Sequence, residues 1–183
     1  MAGIPYYYRE SWGVGTNLQL HAMRQAWRLW QELKEKKDNL GESRIRERCV
    51  IIITLLGLSL SQLLGQNFSP SSKDRIPSLR DLWGDFLKKT ELTDESIKHI
   101  DSRFQDFLNS YDACRHFGAS KHERIDKLTY EAICGYVELS INIWDIILDH
   151  FKSKNNAAIN FRSIRDILDE NDDEEDEISP LMC

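Results

Sequence analysis

Residues 49 to 65 (CVIIITLLGLSLSQLLG) form a long apolar run that constrains the fold of this chain more than any other segment. A helix of this composition carries apolar side chains on nearly every side, which is typical of the centre of a helical bundle. The run is no longer than the roughly 20 residues that cross a membrane, and it includes Thr54, Ser59, Ser61 and Gln62. We therefore predict a central core helix and no membrane partner, with a transmembrane segment as the alternative.

Other stretches show apolar side chains spaced by three and four residues, which favours amphipathic helices. The predicted helices cover residues 16–37, 79–89, 93–116, 121–151 and the shorter 161–168. Suitable first residues or caps for the predicted helices are Thr16 or Asn17, Ser43, Ser78 and Thr93. No strand-like alternation of apolar and polar residues exceeds four positions. The sequence thus predicts an all-α fold, a single-domain bundle of four or five principal helices.

The charges divide the chain into unequal parts. Nine acidic residues lie between Asp166 and Glu177, and residues 1–165 carry 24 basic against 21 acidic side chains, a net charge of +3. We predict an aromatic N-terminal arm (1–15), a helical domain (16–165) and an acidic, disordered tail (166–183). The tail serves solubility, or it occupies a basic groove or contacts a partner.

Cysteine usage and the N-terminus indicate a cytoplasmic protein without a metal. The four cysteines show no CxxC or Cys/His spacing of the kind that binds zinc, and the first ten residues contain no apolar signal-peptide core. Reduced thiols in the cytosol are therefore the expectation. We predict no cofactor and no metal ion.

The segment from Arg115 to His122 (RHFGASKH) is the strongest candidate for a site. It lies between two predicted helices, where Gly118 suits a helix C-terminus. A helix N-terminus favours phosphate, the guanidinium group of arginine matches phosphate oxygens, and histidine exchanges protons near neutral pH. Together these groups can cleave RNA without a metal, because a base can take the proton of the ribose 2′-OH while a cation stabilises the charged phosphorane.

At this segment the chain resembles the HEPN superfamily. The family signature is an arginine, a polar residue directly after it, and a histidine that follows the arginine after four to six intervening positions. Arg115, His116 and His122 match that order here. The resemblance implies a small helical bundle that forms a homodimer, and it implies a metal-independent ribonuclease of a toxin–antitoxin or anti-phage system. RNA and an antitoxin or defence-complex protein are the partners that it implies.

The expected roles follow from the chemistry and from the resemblance. Arg115 would stabilise the phosphate, and His122 would act as general acid and base. The residues expected to orient the imidazole or to bind phosphate and RNA are His116, Lys121, Asn109, Asp112 and Arg124. The alternative function is a non-catalytic helical adaptor or accessory subunit that binds a protein partner through its aromatic arm and apolar helices.

Overall fold

The computed structural model describes residues 18–68, 77–90, 95–115, 125–126, 128–155 and 163–169. Within them the helices are α1 (Leu18–Lys36), a short 3-10 helix (Lys37–Asn39), α2 (Glu42–Phe68), α3 (Leu79–Thr90), α4 (Glu95–Arg115), α5 (Tyr130–Asn155) and α6 (Ile164–Asp169). The described part contains no strand, so the predicted all-α fold is confirmed. The arm, its suggested caps Thr16 and Asn17, and most of the acidic tail lie outside the described residues.

Helix α2 lies at the centre of the fold, as its composition predicts. α1, α3, α4 and α5 all pack against it. Its inward side chains include Ile52, Ile53, Leu56, Leu60 and Leu63, each with no exposed surface. From Glu42 to Gly65 the helix is long and apolar enough to cross a membrane, but half of its most apolar 18-residue window is buried inside the protein.

A buried polar contact joins α2 to the first turn of α1 and to α5. The hydroxyl of Ser59 donates to the backbone carbonyl of Gln19 at 2.7 Å. It also accepts the indole N–H of Trp144 at 3.1 Å. Because buried polar groups are costly without partners, these bonds hold three helices in one relative position.

An aromatic row links α3 to the end of α4. The ring of Trp83 lies 4.3 Å from that of Phe104, which stacks on Phe107 at 5.7 Å. Phe107 stacks in turn on Tyr111 at 6.1 Å, with the two rings only 3° from parallel. These buried rings fix the direction in which the last turn of α4 leaves the core.

Two predicted helix boundaries need correction. The helix predicted from residue 121 to 151 is interrupted, because Leu128 and Thr129 are not helical and α5 begins at Tyr130. Thr129 caps it, since its hydroxyl accepts the backbone N–H of Ala132 at 3.2 Å.

The second correction concerns α6, which begins at Ile164 and continues to Asp169. The predicted boundary between domain and tail at residues 165 and 166 therefore falls inside a helix. Asp145 of α5 accepts the backbone N–H of Ile164 at 2.9 Å, and Arg165 pairs with Glu138 at 2.6 Å. Ile164 is fully buried, so α6 belongs to the bundle.

Candidate functional site

Arg115 is the last residue of α4 and its side chain is exposed. The carbon of its guanidinium group lies 5.3 Å from the centre of the Tyr111 ring, one helical turn earlier. The face of an aromatic ring attracts a cation and leaves the N–H edges of the guanidinium group available. The C-terminal end of a helix also favours a positive charge. Arg115 is thus a positioned surface cation.

The ring that holds Arg115 is itself held by a close helix crossing. Tyr111 is only 6% exposed and lies directly over Gly57 of α2. A Cβ atom at position 57 would lie under 3.0 Å from three atoms of that ring, closer than real side chains approach. The glycine therefore allows the Tyr111 ring to lie in close contact with α2, and the position of Arg115 depends on this contact.

Asn109 and Asp112 lie on the same helix as Arg115. The side-chain oxygen of Asn109 accepts an N–H of Arg80 at 3.4 Å, and Arg80 also donates to Gln105. Asn109 thus contributes to the packing of α3 on α4. Asp112 is partly exposed three residues before Arg115.

The other predicted site residues, His116, Lys121, His122 and Arg124, lie outside the described residues. The chain is described again at Ile125 and Asp126, which are helical. Ile125 packs against the core, and Asp126 forms an ion pair with Arg46 of α2 at 3.5 Å. Both ends of the candidate segment are therefore attached to the bundle.

Side chains of the protein itself accept the hydrogen bonds of the free backbone N–H groups at the N-terminus of α5. Glu131 lies in the first turn, and its backbone N–H and the Thr129 hydroxyl hydrogen-bond its carboxylate. These bonds, with Lys37 nearby, lower the pKa of Glu131 below its ordinary value. The Thr129 hydroxyl also accepts the next N–H, that of Ala132. A phosphate at this helix start would meet a carboxylate, so the N-terminus of α5 does not favour an external anion. The helix start that the sequence predicted near Lys121 lies outside the described residues.

A cavity of about 410 Å³ lies beside this helix start. It is open to solvent and is lined by the 3-10 helix, the first turns of α2, residues 126, 128 and 129, and the first turn of α5. Its charged lining consists of two basic and four acidic residues: Lys37, Arg46, Asp38, Glu42, Asp126 and Glu131. The nitrogen of Lys37 lies 4.7 Å from the centre of the Tyr130 ring. The negative balance of charge disfavours a phosphate in this cavity.

A second cavity of about 340 Å³ lies between α4 and α5. There the hydroxyl of Tyr136 donates to Asp106 at 2.8 Å and lies 3.0 Å from the hydroxyl oxygen of Ser110. Burial raises the pKa of Tyr136 to about 12, and the neighbouring carboxylate of Asp106 acts in the same direction. The phenol is therefore neutral at physiological pH and cannot act there as a base.

The buried thiols of Cys49 and Cys114 are not reactive thiolates, and the described residues form no metal centre. Burial raises the pKa of both Cys49 and Cys114 to about 11. Cys134 accepts a hydrogen bond from the indole of Trp30 at 3.4 Å. Among the described residues no group of three or more His, Cys, Asp or Glu side chains is arranged to hold a metal ion.

Some residues that shape this region gave little signal in the sequence. Thr129, followed two positions later by Glu131, has the composition of a helix start and could have located the break before α5. Gly57 gave no such signal, because only the helix crossing shows that a side chain would collide there. Searches among protein-family models, curated proteins and solved structures found no match to this chain.

Proposed function

We propose that the chain is a HEPN-like, metal-independent endoribonuclease that acts as a toxin or anti-phage effector in the cytoplasm. The observation that supports this is the position of Arg115. It is an exposed guanidinium group at a helix end, held 5.3 Å above a buried tyrosine ring. A guanidinium group held in this way can donate two parallel hydrogen bonds to phosphate oxygens, which a mobile cation does less well.

The proposed reaction uses Arg115 together with His122. The imidazole takes the proton of the ribose 2′-OH, and the resulting oxygen attacks the adjacent phosphorus atom. The bond from phosphorus to the 5′-oxygen breaks, and a protonated histidine returns a proton to that oxygen. Arg115 stabilises the negative charge that develops on the phosphorane. The products are a 2′,3′-cyclic phosphate end and a 5′-hydroxyl end.

We further propose that two copies of the chain act as a homodimer, in which the pairs of Arg115 and His122 line one cleft. His116, Lys121, Arg124 and Asp112 would bind flanking phosphates or orient the imidazole. Asn109 has a smaller part in this proposal, because its oxygen already accepts a hydrogen bond from Arg80.

The test is cleavage of a labelled tRNA and a labelled unstructured RNA in excess EDTA. We expect 2′,3′-cyclic ends from the natural protein and their loss with Arg115→Ala and with His122→Ala. Arg115→Lys should keep the charge but lose most of the rate, because lysine lacks the planar pair of donors. Arg28→Ala, which alters an exposed arginine on α1, is the matched control and should cleave normally.

A truncated chain ending at Asp169 belongs in the same assay. It retains α6 and removes the rest of the acidic segment, so greater activity would show that this segment restrains the enzyme. If neither the full chain nor the truncated chain cleaves while both are folded by circular dichroism, the ribonuclease proposal is wrong. The non-catalytic accessory function would then be the better explanation.

A further inference from the structure

The outward face of α2 is uncharged over about four and a half helical turns, from residue 50 to residue 65. It consists of eight exposed or partly exposed residues, of which Val50 and Leu55 lie at its edges and also contact the core: Val50, Ile51, Thr54, Leu55, Leu58, Ser61, Gln62 and Gly65. Four helices pack on α2, yet Ile51 keeps 40% of its surface exposed, and among the large apolar residues that the structure describes only Leu18 is more exposed. The face extends for about 24 Å at 1.5 Å per residue.

One polar side chain on this face is turned inward. The hydroxyl of Thr54 donates to the backbone carbonyl of Val50 at 2.8 Å, within the same helix. Its hydrogen-bonding capacity is thereby directed at the helix backbone, and its methyl group contributes to the apolar surface. Around Ile51 and Leu55 the face is therefore more apolar than its sequence suggests, and it suits an apolar or aromatic occupant.

We propose that the occupant is the N-terminal segment of the same chain, residues 1–17. This segment carries Ile4, Trp12 and three consecutive tyrosines at positions 6–8, but only two charged side chains, Arg9 and Glu10. An aromatic segment with so few charges matches an uncharged helix face. Tyrosine and tryptophan also cover large areas while keeping their polar atoms at the edge of a contact.

The point of attachment supports this assignment. The backbone carbonyl of Gln19 in the first turn of α1 accepts the hydrogen bond of Ser59, a buried residue of α2 at about the same height along the helix as Leu58. Leu18, the residue before Gln19, is 45% exposed. The segment thus joins the bundle beside the middle of α2. Seventeen residues can extend on the order of 55 Å, so the segment is long enough to follow the face in either direction.

A second copy of the chain fits this face less well. One helix face about 24 Å long and roughly 10 Å wide offers only about 240 Å². Stable dimers bury about 800 Å² on each partner. The N-terminal segment needs a smaller area, because it belongs to the same chain and loses no translational freedom when it packs.

The experiment is methyl NMR on the full-length protein with labelled isoleucine and leucine methyl groups. We expect nuclear Overhauser contacts from the ring of Trp12 or from at least one of the three tyrosine rings to the methyl groups of Ile51, Leu55 and Leu58, because consecutive side chains cannot all point to one face. Ile51→Arg places a charge at an exposed position of the face and should abolish these contacts. Asn142→Arg makes the same change at an exposed position of α5 and should preserve them.

Each other outcome contradicts the proposal. Absence of the contacts in the folded natural protein would show that the segment lies elsewhere. Contacts seen only between differently labelled chains in a mixed sample would assign the face to a second copy. Contacts or line broadening at the face that arise only on addition of phospholipid vesicles would assign it to a membrane surface. Hydrogen exchange of residues 1–17 in the two variants provides an independent measurement of the same packing.

Discussion

Replacement of Gly57 by alanine should destabilise the protein, although alanine is the better helix former. Alanine is favoured by about 1 kcal/mol over glycine inside a helix. Against this gain, the added Cβ would lie under 3.0 Å from three atoms of the Tyr111 ring. The ring is buried and stacked on Phe107, so it cannot turn away at low cost. Such overpacking costs about 3 kcal/mol, which leaves a net loss of about 2 kcal/mol.

Gly84 of α3 offers a matched control for this substitution. It also lies inside a helix, but an added Cβ would meet no atom within 4 Å. Gly84→Ala should therefore stabilise the protein by about 1 kcal/mol, the opposite sign from Gly57→Ala. Urea unfolding followed by circular dichroism measures both changes, and the midpoint for Gly57→Ala should fall by about 1 M.

A double variant tests whether the Tyr111 ring causes the loss. In the Gly57→Ala background, Tyr111→Leu removes the atoms that collide, so the two changes together should cost less than the sum of the single changes. Strict additivity, or a Gly57→Ala protein as stable as the natural one, would refute the reasoning. Because Arg115 lies over this ring, Gly57→Ala should also reduce any RNA cleavage under conditions in which the variant remains folded.

Two further predictions concern titrating groups. Burial raises the pKa of Asp145 despite its hydrogen bonds to the start of α6, so its ionised form opposes folding. The protonated carboxyl group stabilises the folded state at low pH, and this contribution is lost as the pH rises through the raised pKa. Asp145→Asn keeps an acceptor oxygen and cannot ionise, so it should gain stability relative to the natural protein as the pH rises from 4 to 7. Asp145→Ala lacks the acceptor and should lose about 1 kcal/mol of capping. The raised pKa values of about 11 leave Cys49 and Cys114 with about 100-fold less thiolate than the ordinary pKa of 9.0 would give. Iodoacetamide at neutral pH should therefore label these two thiols far more slowly in the folded protein than in urea. Peptide mass spectrometry measures the two rates. Equal rates of labelling with and without urea would contradict the burial of these thiols.

The sequence was sufficient for the fold class and for the core because both depend on apolar spacing. The run from residue 49 to 65 predicts a central helix, and α2 lies there with Ile52 and Leu56 fully buried. The start of α5 could not be located in the same way. Residues 121–128 continue the helical spacing, so apolar spacing alone does not reveal the break, whereas the capping residue Thr129 and its hydrogen bond with Ala132 place the helix start at Tyr130.

For the candidate site, the sequence was sufficient for the residue types and for the pairing of neighbours on one helix, but not for contacts between helices. The position of Arg115 after Tyr111 is visible in the sequence, because residues four apart on a helix are neighbours. That the ring lies on Gly57 is a property of the crossing between α2 and α4, and no local pattern encodes it. Glu131 shows a further limit of predicting anion sites from helix starts. A helix N-terminus favours a bound anion only when the chain itself supplies no carboxylate there, and at the start of α5 Glu131 supplies one.

The docking of α6 has a consequence for the acidic residues that follow it. Because Asp145, Glu138 and the core hold this helix, the chain beyond Asp169 is tethered to one point of the bundle. Any contact of the acidic segment with its own bundle would then occur at an effective concentration fixed by the tether and would be unaffected by dilution. A contact with another molecule would weaken on dilution. Salt titrations of the contact at two protein concentrations can therefore distinguish a contact of the acidic segment with its own bundle from a contact with another molecule.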